Sequence, residues 1–437
     1  MTVVETRPEH DERRRRRVAY AGIAVALAVL VVVTVMLVRG MPPRTVRMAT
    51  GEAAGAYHAY GERYRAFLAK HGVKLELVET RGAQDNLERL RDARAGIGVA
   101  LLQNGLTSER DAPGIVSLGT VAYEPVWVFY RGERKGGVAS QDWLAGKRIS
   151  IGPAGSGTHK LAREIVELLG LDSGTVQPLD LPTDAGVDAI LRGEIDLLVI
   201  VDPFAAPAVQ RLLAAPGVNL VSFVRADAHV ALRPYLNKLT LPQGVIDLRR
   251  NVPSQDVTLV APKTSLTVRE DLHPAIQYLL LQAASEVNAK PDLFTRPAQF
   301  PAPEPIDLPL SEPALQYYKS GSPFLQRYLP FWVAALVSEL LRVLIPLVAV
   351  VYPLLRLAPG IYGWGMRRRI FRPYGELKFI EMQLEARDSK ASVDDLRLEI
   401  ERLEMRANHM RTPSAFAHML YTLRLHISMV RQRLEKR

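Results

Sequence analysis

The sequence contains no cysteine, which excludes disulfides and thiolate metal sites without fixing the compartment. It also lacks any grouping of His, Asp and Glu at metal-ligand spacing. A basic core is missing too, because the formal charge of +10 comes from the ends. Residues 1 to 44 carry 8 Lys/Arg against 4 acids, residues 366 to 437 carry 16 against 10, and everything between carries 32 of each. That distribution argues against a nucleic-acid-binding core and for positive termini. A hydrophobic content of 48% over 437 residues excludes a mainly disordered chain and allows two or three domains.

Catalytic signatures are scarce as well. The most structured motif is the stretch Ile149 to Thr158, a short β-branched run and a glycine-rich turn leading into the amphipathic run His159 to Leu169. A phosphate-binding loop needs Lys-Ser or Lys-Thr after its last glycine, but Thr158-His159-Lys160 follows Gly157. A nucleophile elbow needs glycine two residues either side of the serine, and Ser156 has Ala154 and Thr158 there. The dinucleotide pattern fails at Lys160. His159 and His58 read as solvated helix-start histidines, and nothing in the sequence supports an enzyme. What remains is a helix N-terminus whose free backbone N–H groups suit a carboxylate or phosphate.

The chain taken in order gives its organisation. Residues 1–17 are polar and end in five arginines, and Val18 to Val38 is an uncharged apolar run of 21 residues, long enough to span a bilayer. This reads as an uncleaved signal anchor with a cytoplasmic N-terminus. From Thr45 the pattern is α/β: strands at 46–49, 73–78, 98–103, 123–131, 149–151, 197–201 and 257–260, with helices at 56–70, 85–94, 159–169, 185–192 and 269–289. We expect a first lobe at 45–140, a second at 141–224 and a return to the first at 225–300, with parallel βαβ units and a ligand cleft between the lobes. Residues 301–330, dense in proline, read as a stiff linker. The apolar run 331–357 reads as a second transmembrane helix, with Trp332, Tyr362 and Trp364 as interfacial anchors and Arg367 to Arg372 holding the tail in the cytoplasm. The tail, 366–437, has the periodicity of an antiparallel helical hairpin whose second helix opens at Thr412-Pro413.

Candidate ligand-binding residues fall at the strand ends, where α/β sheets gather their ligands. They are Thr50, Gly51 and Tyr57 at the first glycine turn, Arg81 as a positive partner, Gln103 and Asn104, the turn Gly155, Ser156, Gly157 and Thr158, and Asp202 after the run 197–201. No catalytic residue, metal or cofactor is expected.

These residues also carry a resemblance. Ala49-Thr50-Gly51 to Tyr57, Thr80-Arg81-Gly82 with Asn86-Leu87, Ala100 to Gln103, Leu144 to Pro153 and Gly155-Ser156-Gly157-Thr158 resemble the TAXI family of TRAP-transporter solute-binding proteins over about residues 45 to 300. Asp307 to Leu310 and Phe324 to Trp332 resemble a subset with a membrane-anchored tail. The resemblance implies a two-lobed type II periplasmic-binding-protein fold, here flanked by two transmembrane helices and the helical hairpin. It implies capture of a small carboxylate or amino-acid-like ligand outside the bacterial inner membrane, with a TRAP membrane permease as partner. Typical members are diffusible, whereas this chain reads as anchored at both ends. The alternative is a membrane-tethered sensor or scaffold that relays lobe state to a cytoplasmic partner of the tail.

Overall fold

A computed structural model describes residues 20, 24, 27–53, 55–132, 141–168, 176–385, 392–410 and 412–436. The basic segment 1–17 and several residues early in the first apolar run lie outside the described residues. The chain divides into two compact units, Met1–Glu339 and Leu340–Arg437.

In the first unit, β1 (Thr45–Gly51), β2 (Lys74–Glu79), β3 (Val99–Gln103) and β4 (Ile115–Tyr123) share one sheet. A second sheet holds β5 (Val126–Arg131), β6 (Arg148–Ser150), β7 (Gln177–Leu179), β8 (Leu197–Val201) and β9 (Val218–Leu220). An antiparallel pair follows, β10 (Asn237–Leu241) and β11 (Val257–Ala261), packed with the second sheet's core, before β12 (Lys263–Arg269) returns to the first sheet. The orders are β2-β1-β3-β12-β4 and β7-β6-β8-β5-β9. In each sheet the βα-connected strands pair in parallel, and the strands beside the crossovers, β12 and β5, pair antiparallel. Both sheets are covered on two faces, so β3 and β8 are buried at every position and read as continuous apolar runs.

The lobe boundaries differ from those expected at 140/141 and 224/225. The run 123–131, read as one strand, is split between sheets by Glu124-Pro125, because proline cannot donate to a central ladder. The second crossing lies at Pro262, and Glu124 N donates to Pro262 O at 3.0 Å, so the two connections are tied together. The helix read from 269 begins at Pro274, because 263–269 is β12.

The proline-rich segment is not a free linker. Ala302 and Thr120 exchange backbone hydrogen bonds of 2.9 Å, and Ser117 donates to Pro309 O at 2.8 Å while its own carbonyl accepts from Ser311 N. The Pro309 carbonyl, with the backbone groups of Ala302 and Ser311 between and beyond the prolines, extends the edge of the first sheet. Helix Glu312–Ser320 then caps that lobe, opened by Pro at its first turn and the Ser311 hydroxyl on Ala314 N at 3.2 Å. Phe331 is 6% exposed in the first sheet's core, and Trp332 packs beside it. Trp332 therefore belongs to the lobe instead of an interfacial anchor, whereas Tyr362 and Trp364 are exposed.

Helix Phe331–Glu385 is long and apolar enough to cross a membrane by length and composition, and Leu27–Arg39 is a shorter apolar helix. In the second unit the expected hairpin gains a third partner. Ile370, Leu377 and Ile380 at the end of the long helix close with Leu396, Ile400 and Leu403 of Val393–His409 and Leu423, Ile427 and Val430 of Ala417–Glu435. The i, i+3/i+4 stripe thus closes on itself. Pro413 precedes a single 3₁₀ turn, Ser414–Phe416, so the last helix starts at Ala417 instead of Pro413.

Candidate ligand-binding cleft

The glycine turns meet because a buried polar network shapes one of them. Thr80 Oγ1 accepts from Gly51 N at 3.0 Å and from Gly82 N at 3.3 Å, and donates to Asn86 Oδ1 at 2.5 Å. Asn86 Nδ2 in turn donates to Leu101 O of β3 at 3.0 Å. Both lobe-one turns are therefore fixed to the sheet beneath them. In the second lobe, Ser156 Oγ accepts from His159 N at 3.1 Å and caps helix Gly157–Leu168, and Thr158 Oγ1 accepts from Val201 N at 3.2 Å, tying the helix start to the end of β8.

The lobes touch here. Asp85 N donates to Gly155 O at 3.2 Å, and Lys160 Nζ reaches the carbonyls of Gly105 and Leu106 at 3.1 and 2.8 Å. Gly82, with φ +128°, lies so close to Ser156 that a side-chain carbon would sit 3.0 Å from the serine Cα. Between these contacts is a cleft of about 540 Å³, counting space open to solvent. It is lined from the first lobe by Thr50, Gly51, Tyr57, Arg81 and Gln103, and from the second by Ser156, Gly157, Thr158 and Asp202.

Nine of the eleven expected residues are thus brought together. Gly155 sits just behind the lining against the Arg81 guanidinium. Asn104 does not join: it is buried with its Oδ1 accepting from Ser265 Oγ at 2.7 Å, so it braces β12. Thr50 lines the cleft with a hydroxyl already engaged by Val78 O and His58 Nδ1, at 3.3 and 3.2 Å. Arg81 is on the rim, its side chain 63% exposed and 3.5 Å from Asp85, which also holds Arg89 at 2.9 Å. The histidines are not solvated as expected: His159 is 3.2 Å from Asp180 and His58 is 3.5 Å from Glu62, both with largely covered rings.

The residue that the sequence reading misses is Glu124. It is 2% exposed, lines the cleft at the first crossover and receives the Tyr57 hydroxyl on Oε2 at 3.2 Å. Burial pushes its carboxyl up to about 8, with the neighbouring Asp202 adding to the rise. Burial likewise pushes Asp202 up to about 7, helped by the charge of Glu52. Glu52 itself is raised, first by burial and then by Asp184. The backbone of Asp202 is held by Trp127, whose indole N–H donates to its carbonyl at 2.8 Å. The signal for Glu124 was present, a charged residue and a proline interrupting an apolar run.

The raised carboxyls predict a pH dependence. A group whose folded-state value lies above its unfolded one contributes stability that is full at low pH and is lost as pH rises through the folded value. The ligand-free chain should therefore be more stable at pH 5 than at pH 8.5, and Glu124→Gln should flatten that difference in thermal melts. An unchanged slope in the variant would mean that Glu124 does not cause it.

A second pocket, about 810 Å³ counting space open to solvent, lies in the second lobe, lined by residues such as Val128, Leu144, Ile165 and Phe223. It brings few polar groups together, whereas a small-molecule site combines apolar walls with placed polar groups. The interlobe cleft fits that description better.

Two α/β lobes joined by paired crossovers, with a polar cleft at the junction, define a two-sheet fold of the periplasmic-binding-protein kind. Residues 48–319, more than half of the sequence, match the model of the NMT1-like family, and the chain belongs to that family. Among solved structures, a protein of Bordetella bronchiseptica RB50 is 16% identical with a TM-score of 0.39, over 56% of this chain and 71% of that one. The periplasmic aliphatic sulphonate binding protein SsuA of Escherichia coli is 16% identical with a TM-score of 0.34, over 56% and 73%. An ancestral arginine-binding protein bound to arginine is 14% identical with a TM-score of 0.36, over 56% and 92%.

Proposed function

We propose that the chain is a membrane-anchored extracytoplasmic solute-binding protein, which captures a small carboxylate or amino-acid-like ligand between its lobes for TRAP-type transport. The observation that carries the reading is the cleft itself, with strand-end and helix-start residues of both lobes facing one another at two linked crossovers. The lobes would stand outside a bacterial inner membrane, held by the apolar run 18–38 and by helix Phe331–Glu385, with both termini in the cytoplasm. The TAXI motifs support a TRAP permease as partner, and the two anchors make the chain a resident of that membrane.

Thermal melts against a library of carboxylates and amino acids test the capture step. A ligand at a hundredfold over its dissociation constant should add about 2.7 kcal/mol of stability. No gain with any compound, and no solute bound after purification, would contradict capture.

A second reading is favoured by the closed core of Leu340–Arg437, a compact unit larger than an anchor requires. In that reading the tail meets a cytoplasmic partner and reports lobe state. Removing residues 386–437 separates the two: lost uptake with intact binding supports transport, and altered signalling with normal uptake supports the relay.

A further inference from the structure

The cleft has an excess of acid that a carboxylate ligand does not explain. Glu52, Glu124 and Asp202 line it, against the single guanidinium of Arg81, which sits at the rim beside Asp85. Neither Glu124 nor Asp202 has an ion-pair partner among the described residues, and the Asp202 carboxylate accepts no hydrogen bond there. Thr264, fully buried, places its hydroxyl beside Tyr57 and Glu124. Enclosing carboxylates without a cation is costly, so the group either keeps its protons or awaits a positive partner. The position of Glu124 adds meaning: its backbone bonds the other crossover at Pro262, so a charge bound there acts at the joint between the lobes.

Resting on the solute-capture reading, we infer that the ligand carries an ammonium group, and that this group docks between Glu124 and Asp202 at the crossovers. The groups facing it are Tyr57 and Tyr60 from helix Ala56–Lys70, Glu52 from the first turn and Arg81 from the rim. Tyr57 already donates to Glu124 Oε2, which orients the carboxylate as an acceptor toward a charged donor. The backbone N–H groups of Gly157 and Thr158, at the helix start that lines the second-lobe side of the cleft, suit the carboxylate of a zwitterion. Docking a cation favours the ionised carboxylates, so binding releases protons and tightens as pH rises from 6 to 8. The opposite chemistry, protonated carboxyls donating to a carboxylate ligand, would weaken as pH rises.

Calorimetry on the full chain in detergent separates these cases, using L-amino acids, their matched 2-hydroxy acids and their matched decarboxylated amines. We expect an amino acid or amine to bind, its hydroxy acid to bind about a hundredfold more weakly, and affinity to rise about tenfold per pH unit per proton released. Glu124→Gln, which keeps the shape and the Tyr57 contact, should lose at least thirtyfold in affinity with an unchanged fold by thermal melt at pH 6. Equal binding of the hydroxy acid, or affinity falling with pH, overturns the ammonium inference while leaving capture standing. Binding by none of the three series, with no solute on native mass spectrometry, overturns capture and the inference together.

Discussion

Replacing Trp127 by alanine is expected to destabilise the second lobe by about 3–5 kcal/mol, the cost typical of emptying a buried aromatic site. Trp127 is fully buried in β5, with ring neighbours Phe129, Phe204 and Phe294 at 6.3, 6.3 and 6.2 Å. The side chain also fixes the cleft, because its indole N–H holds the Asp202 carbonyl. Urea unfolding monitored by tryptophan fluorescence and by circular dichroism should show the loss. Trp127→Phe refills much of the space but leaves that carbonyl without its donor, so it should cost less stability and still weaken solute binding. Equal affinity in Trp127→Phe would mean that Asp202 is positioned by other contacts.

The second large effect is expected at Gly82. Valine there would carry a strained positive φ and drive its Cβ onto the Ser156 backbone across the lobe contact. The positive φ should cost about 1–3 kcal/mol of stability, and an overlap across the lobe contact of about 1–3 kcal/mol should lower solute affinity by roughly fivefold to a hundredfold. Gly114→Ala is the control, since Gly114 also has a positive φ, +77°, but a side-chain carbon there meets nothing within 4 Å. It should lose a little stability and no affinity. If Gly114→Ala and Gly82→Val weaken binding alike, the lobe contact is not the cause.

Much of the first unit was legible because its signals are local. The helix Ala56–Lys70 and the strand Leu197–Val201 follow from periodicity and from a bounded apolar run, and they occupy the expected residues. The glycine turns were legible for the same reason, and the structure gathers nine of the eleven expected lining residues. What escaped depends on contacts distant in sequence. β12 has no counterpart in the sequence reading, apart from Arg269 at the head of the expected helix, because its antiparallel pairing with β3 and β4 comes from strands more than a hundred residues earlier. Glu124 was absorbed into a strand because only the sheet assignment shows that the chain changes lobe there. The proline-rich segment reads as a stiff linker because its pairing is confined to isolated bridges at Ser117 and Thr120, which leave no periodic pattern. His159 looked solvated because Asp180 lies on another connection.

The absence of cysteine makes the most direct test simple, because two introduced thiols are the only ones in the chain. Spin labels at Arg91→Cys in the first lobe and Glu167→Cys in the second, both exposed positions, report the distance between the lobes. Capture between the lobes predicts a broad or two-component distance distribution without solute. It should collapse to one shorter distance when a stabilising solute is added, and the change should be lost with Gly82→Val. A distance distribution that stays the same while a solute stabilises the chain would contradict capture in the cleft.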